Sequence, residues 1–207
     1  MSDVTLIPAE FTLVKFDADE VRGLIDQTLA EIGFPTEVDV TIEVDEVLPH
    51  PLTASSGEIV DGQAKLWYTG GCFESPNRQT GLSVDHTRVE LGVGLLRAKD
   101  RVCGGFENAP ADDDLDDRQR TIWDAYAEGR LLHLGYPVRV PRRRYTFRLY
   151  GGFNDVADAA FDRLWASGAT MTWDDLAAMS DQLAEADTRP PRKKSIRKES
   201  LRSVAAS

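Results

Sequence analysis

The chain is poor in the residues that most often build disulfides and metal sites. Its 207 residues include only two cysteines and three histidines. Two cysteines do not make a disulfide framework in a chain of this length. Structural zinc usually needs four ligands, often in closely spaced pairs, whereas Cys72, Cys103, His50, His86 and His133 are scattered. We therefore predict no bound metal and no cofactor.

Long hydrophobic runs are also missing. No window approaches the roughly 20 apolar residues that span a bilayer. The first 20 residues lack the basic start and apolar stretch of a secretory signal. We therefore expect a soluble, cytoplasmic protein that does not enter a membrane. Hydrophobic residues still make up 42% of the chain, which is enough for one good-sized core.

The glycine motifs that cradle nucleotide phosphates, GxGxxG and GxxxxGK[ST], do not occur. Instead, a diglycine stands beside a phenylalanine at 70–73, 103–106 and 150–153. We predict that each diglycine ends a strand, because glycine permits positive φ and the phenylalanine can anchor the turn in the core. The functional alternative is a pocket rim, since glycine leaves room for a ligand to approach the backbone.

A net positive charge is found only at the C-terminus. Residues 1–187 carry a net charge of −17 and the last 20 residues carry +6, which together give −11. The acidic part repels nucleic acid and anionic membranes at long range. The basic tail could bind an acidic protein surface or nucleic acid. The basic residues proposed for this contact are Arg192, Lys193, Lys194, Arg197 and Lys198.

The same tail contains two candidate phosphorylation sites. Ser195 and Ser200 each have an arginine three residues before them, a spacing that suits a basophilic kinase. Phosphorylation would remove much of the tail's positive charge. The alternative is a tail that only solubilises the protein.

Hydrophobic periodicity predicts an α+β fold with a mostly antiparallel sheet packed with helices. Residues 17–35 have helical spacing and capping residues at both ends. Apolar and polar residues alternate strictly over 38–47, as in a half-buried strand. Asp61-Gly62 is typical of a hairpin turn. Further strands are predicted at 11–16 and at 82–96, where a helix towards the end of the segment is the alternative. Residues 137–150 are predicted to form one or two short strands, with Pro141 favouring a sheet edge or a break.

Three regions are predicted along the chain. Residues 1–150 form the α+β core domain, and residues 151–187 form a pair of helices packed on it. Thr172 stands three residues before Asp175, a variant of the capping box. Residues 188–207 are a basic tail without apolar periodicity, which we expect to be flexible.

Residues 117–134 predict an amphipathic helix. Asp117, Asp124 and Glu128 share one face, opposite the large apolar residues. These carboxylates are expected to face solvent, since nothing in the sequence supplies an environment that separates their pKa values for acid–base work. His133 lies five residues after Glu128, about 140° around the helix, so the two side chains do not converge.

The order of elements over residues 11–135 resembles that of the small zincin-like metallopeptidases. In that family a strand, a helix and an antiparallel sheet lead into a helix bearing His-Glu-x-x-His. At the corresponding place, residues 127–133 read Ala-Glu-Gly-Arg-Leu-Leu-His. The two histidines four apart that would bind zinc are missing. The resemblance therefore implies a metal-free relative and assigns no catalytic residue.

Two hypotheses of function follow. The first is a non-catalytic accessory or assembly protein whose basic tail binds an acidic partner. The second is an enzyme or small-ligand binder with a pocket at the diglycine turns, where a cysteine could pair with a histidine and the arginines of 142–148 could bind phosphate or nucleic acid. Those arginines could equally neutralise the acidic N-terminal third. The candidate ligand-binding residues are Cys72, His86, Cys103, Arg142, Arg144 and Arg148.

Overall fold

The structure is a computed structural model that describes residues 3–75, 78–166, 168 and 170–189. The tail residues proposed to bind a partner, and both candidate phosphorylation sites, lie outside the described residues.

The main sheet has four strands in the order β1-β2-β4-β3. β1 and β4 both run parallel to β2, whereas β3 at the edge is antiparallel to β4. A second, two-stranded antiparallel sheet follows in the chain. The strands are β1 (Val4–Ile7), β2 (Val40–Asp45), β3 (Ser55–Val60), β4 (Gln63–Thr69), β5 (Glu74–Ser75) and β6 (Arg78–Leu82).

The α+β class is confirmed, but the prediction of a mostly antiparallel sheet is wrong. The first helix connects β1 to β2, and such a crossover returns the chain in the same direction. After β2 the chain crosses to the sheet edge as β3 and turns back through Asp61-Gly62 into β4, which therefore also runs parallel to β2. Alternation within a strand does not reveal the direction of its neighbours.

The strand predicted at 11–16 is also wrong. Only an isolated bridge between Lys15 and Gly81 joins this segment to a strand. Its backbone is held instead by the Glu46 carboxylate, which accepts hydrogen bonds from the amides of Thr12 (2.7 Å) and Leu13 (2.9 Å). A side chain distant in sequence thus replaces a strand neighbour.

The described residues form six α-helices. Those predicted at 17–35 and 117–134 and in the C-terminal pair are confirmed. Asp17 caps the first by accepting from the Asp19 amide, and Gly33 ends it at φ 61°. The helices are α1 (Ala18–Ile32), α2 (Val84–Cys103), α3 (Asp117–His133), α4 (Val140–Gly151), α5 (Asp155–Trp165) and α6 (Trp173–Ala186).

Two of these helices replace predicted strands. Residues 82–96 lie mostly in α2, whose first turn is capped by Ser83. Residues 137–150 lie mostly in α4, where Pro141 occupies the first turn. Proline is tolerated there because that N–H has no partner within a helix. Proline therefore marks the start of a helix here and not an edge strand.

Two large hydrophobic clusters occupy most of the interior, beside a small one of Leu48 and Trp67. The first joins the four-stranded sheet to α1 and α2, and the second lies among α3 to α6. α3 belongs to both, with Ala127 and Leu131 in the first and Ile122 and Trp123 in the second. The division of the chain at residue 150 remains a prediction. In the described ranges, none of the helices has the length and apolar character needed to cross a bilayer.

Candidate functional site

A cavity of about 390 Å³ opens at the end of the sheet, beside α2, α3 and α4. His50 and residues 53–55, before and at the start of β3, form one wall together with Gly71 and Cys72, which follow β4. The three helices supply the other walls. The volume lies within the roughly 300–1,000 Å³ of typical small-molecule sites.

α2 presents one continuous face to this cavity. His86, Glu90, Val93 and Arg97 follow one another at intervals of four, three and four residues, and all four line the cavity. Such spacing places side chains on one side of a helix. Only His86 was a candidate from the sequence, since 82–96 was interpreted as a strand. The helical spacing of the polar residues is the signal that would have found Glu90 and Arg97.

Glu90 is the residue of this face whose chemistry is most altered. It is half-buried, and its carboxyl group has no hydrogen-bond or ion-pair partner among the described residues. Burial and, to a smaller extent, the negative charge of Glu128 raise its pKa, Arg143 partly offsets both effects, and the resulting pKa is about 7. Glu90 can therefore accept or donate a proton near neutral pH.

Arg97 ties α2 to two carboxylates. It is 3% exposed, donates to Asp124 over 2.8 Å and forms a second ion pair with Asp112. Asp112 also accepts from Arg101 and from the Gly57 amide, each over 2.8 Å. Burial opposes the ionisation of Asp112, but the charges of Arg97 and Arg101 prevail and lower its pKa. The Nε–H of Arg97 is buried and has no acceptor within the described residues.

The carboxylates of α3 do not form a solvent-facing surface, so that prediction is wrong. Asp117, Asp124 and Glu128 all line the cavity, and Glu128 is 7% exposed. Arg143 of α4 donates to Glu128 over 2.7 Å and lies 3.6 Å from Asp124. The ion pairs with Arg143 were not predicted, because the segment that supplies Arg143 was interpreted as strands. His133 lies at the far end of α3, where its ring contacts the backbone carbonyl of Trp165.

The arginines of α4 divide between two faces. Arg142 lines the cavity together with Arg139, the residue just before the helix. Both side chains are exposed, and neither has an ion-pair partner within the described part of the chain. Arg144 and Arg148 lie on the opposite face and pair with α5, where Arg148 donates to Asp158 over 2.8 Å. Of the three predicted ligand-binding arginines, Arg142, Arg144 and Arg148, only Arg142 therefore faces the cavity.

The two cysteines differ in environment. Cys72 lines the cavity, but its thiol is buried, donates to the Ala54 carbonyl over 3.3 Å and contacts the Thr69 hydroxyl. Burial raises its pKa to about 12, so the sulfur remains a thiol and is a poor nucleophile at neutral pH. Cys103 is exposed at the end of α2, outside the cavity wall. His86 instead contacts the backbone carbonyl of Glu74, over 3.4 Å.

The diglycine turns also differ. Gly71 lines the cavity, and a Cβ on it would lie 2.5 Å from the Leu52 carbonyl oxygen, so the close approach of the two backbones requires glycine. The other two turns follow helices instead of strands and do not line the cavity. Phe73 and Phe106 are buried as predicted, but Phe153 is 55% exposed.

No group of three His, Cys, Asp or Glu side chains within the described residues is arranged to hold a metal ion. Comparisons with protein families, curated proteins and solved structures found no match. The resemblance to zincin-like metallopeptidases stays a prediction.

Proposed function

We propose that this protein binds a small polar molecule in the cavity beside α2, α3 and α4. The observation that carries the proposal is the Glu90 carboxyl group, which lines the cavity without a partner among the described residues. The Glu90 carboxyl oxygens are not among the buried atoms without a partner, so a molecule in the cavity can reach them. A bound molecule with hydrogen-bond donors would satisfy Glu90.

Groups of the opposite charge support the same proposal. Arg139 and Arg142 line the cavity without ion-pair partners in the described residues. The cavity thus offers both an unpaired acceptor and unpaired donors. In a concave site, a small number of well-placed polar groups usually determines which ligand binds. The proposal is one of binding and assigns no catalytic step.

Thermal-shift measurements with small probes test the proposal. The probes are simple carboxylates, primary amines and ω-amino acids from β-alanine to 5-aminopentanoate. We expect at least one class to raise the melting temperature of the protein, because a ligand that binds only the native state stabilises it. If no probe shifts the melting temperature, the proposed function is wrong.

A matched pair of variants locates the binding. Thr146→Trp places a large side chain in the cavity, which Thr146 lines. Tyr145→Trp changes the neighbouring residue, which is 58% exposed and does not line the cavity. We expect the probe response to disappear in T146W and to persist in Y145W. Equal responses in both variants would place the probe elsewhere and refute the proposal.

We also propose, as a second function, that the basic tail binds an acidic partner. The opposite charges of residues 1–187 and the last 20 residues support this proposal. Most of the tail lies outside the described residues, so this proposal is tested by shortening the chain. A protein ending at residue 189 should lose the partners that co-purify with the full chain, and retention of all of them would refute the proposal. Replacing Ser195 and Ser200 by Asp should weaken the same contacts.

A further inference from the structure

We infer that the molecule bound in the cavity is a primary amine that also carries an anionic group, with its ammonium at Glu90 and its anion at Arg139 and Arg142. This inference rests on the proposed function and specifies the ligand of the same site. The inference follows from a comparison of the charged side chains around the cavity: some form ion pairs with other side chains and others do not.

Three of the carboxylates on the helical walls, Glu90, Asp124 and Glu128, differ in their partners. Asp124 accepts from Arg97 over 2.8 Å, and Glu128 accepts from Arg143 over 2.7 Å. Glu90 lines the same cavity but forms no ion pair among the described residues, and Arg143 and Arg142 act on it only at longer range. One positive charge on a ligand would therefore complete the neutralisation of these three acids.

The nature of the missing cation follows from the number of ligands available. A metal ion needs several oxygen or nitrogen ligands, and no group of three such side chains occurs in the described part of the chain. An ammonium group presents three N–H donors and can be held by one carboxylate together with neighbouring oxygens. Glu90, next to Glu128, is such an acceptor. An organic amine therefore fits Glu90 better than a metal ion does.

The anionic end follows from the arginines of α4. Arg142 belongs to the first turn of α4, and Arg139 precedes the helix, so both belong to the cavity wall at the start of α4. Both are exposed, and a guanidinium group readily forms two parallel hydrogen bonds with a carboxylate or phosphate. Because each lacks an acid partner within the described residues, an anionic ligand group would bind there without displacing an existing ion pair.

Isothermal titration calorimetry with matched probes tests the inference. Each ω-amino acid from β-alanine to 5-aminopentanoate is compared with the carboxylate in which a methyl group replaces the ammonium group. For 4-aminobutyrate this counterpart is pentanoate. We expect at least one ω-amino acid to bind the native protein at least tenfold more tightly than its counterpart. Equal affinities within every pair would refute the inference.

Two variants assign the ends of the ligand. Glu90→Gln should weaken the binding of the ω-amino acid at least tenfold and leave the binding of its methyl counterpart unchanged. As a control, Glu20→Gln, which replaces an exposed acid on α1, should change neither affinity. Arg142→Ala should weaken the binding of the ω-amino acid but not that of butylamine, which has no anionic group. An unchanged affinity in E90Q would overturn the inference, and R142A provides an independent check if E90Q folds poorly.

The outcomes also separate this inference from the proposed function. If carboxylates bind as well as amines do, and binding is lost in T146W but not in Y145W, the cavity is a ligand site but the amine assignment is wrong. If no probe of any class binds, both conclusions fail together.

Discussion

Two arginine–carboxylate networks in this protein use the same chemical groups in different surroundings. In the buried network, Asp112 contacts Arg97, Arg101 and the Gly57 amide, and thereby joins the loop before α3 to α2 and β3. In the surface network, Arg148 and Asp158 join α4 to α5 at the solvent boundary. The first network holds a wall of the cavity in place, and the second only adds to the packing of two helices.

The difference between the networks lies in desolvation. Asp112 and Arg97 are 1% and 3% exposed, whereas Asp158 and Arg148 are about one-third exposed. Removing one partner of a buried pair leaves a charge without water or counter-charge, but an exposed partner is simply rehydrated. Similar distances in the two networks therefore correspond to different energies.

The largest expected effect comes from removing the centre of the buried network. Asp112→Ala should lower the free energy of unfolding by about 3–5 kcal/mol, because Arg97 and Arg101 lose their shared carboxylate. Asp158→Ala should cost less than about 1 kcal/mol. Urea denaturation of both variants measures the difference. Similar losses would show that burial does not distinguish the two networks.

A glycine comparison extends the contrast to apolar packing. A Cβ on Gly94 of α2 would lie 2.1 Å from the Tyr68 hydroxyl oxygen, whereas a Cβ on Gly23 of α1 has nothing within 4 Å. Gly94→Ala should therefore destabilise the fold by about 1–3 kcal/mol. Gly23→Ala should stabilise it by about 0.5–1 kcal/mol, because alanine loses less backbone entropy in a helix. If both glycines tolerate alanine, α2 is not held as closely against the sheet as described.

Glu90 contrasts with Asp112, since it is partly buried but forms no ion pair among the described residues. Its pKa in the folded protein, about 7, lies above the ordinary 4.5, so the native state binds the proton more tightly than the unfolded chain. The stability that the protonated group contributes is present below about pH 4.5 and is lost as pH rises through 7.

Glu90→Gln should therefore be more stable than the native protein at pH 8, by on the order of 1–3 kcal/mol. The difference should shrink as pH falls and become small near pH 4.5, where the native carboxyl group is also neutral. Melting temperatures of the two proteins across this range measure the effect. A difference that does not change with pH would indicate a packing effect and not a titration.

The smallest expected effect concerns salt. Replacing Arg148 by Ala should cost less than about 1 kcal/mol at low ionic strength, and still less in 1 M salt, where exposed charges are screened. The cost of Asp112→Ala should change little over the same range, because salt does not reach the buried pair. Denaturation at two ionic strengths provides the test. A strong salt dependence of the Asp112 variant would mean that water enters the buried network.

The sequence alone determined the elements whose signals are local. Asp17 caps the start of α1 and Gly33 ends it. Thr172 and Asp175 form the capping box of α6, and Asp61-Gly62 makes the predicted hairpin turn. Capping, turn geometry and alternation act over a few neighbouring residues, so these signals can be read without the rest of the fold. The helical form of residues 117–134 was predictable for the same reason.

Only the tertiary structure decided the direction of the strands, the helical state of α2 and α4, and the site. The residues that meet at the cavity, such as Cys72, Glu90, Glu128 and Arg142, come from four separate segments. The α3 carboxylates were expected to face solvent, and whether an amphipathic face meets water or another helix depends on what packs against it. That packing is a property of the whole chain, because the cost of burying a charge is set by partners distant in sequence.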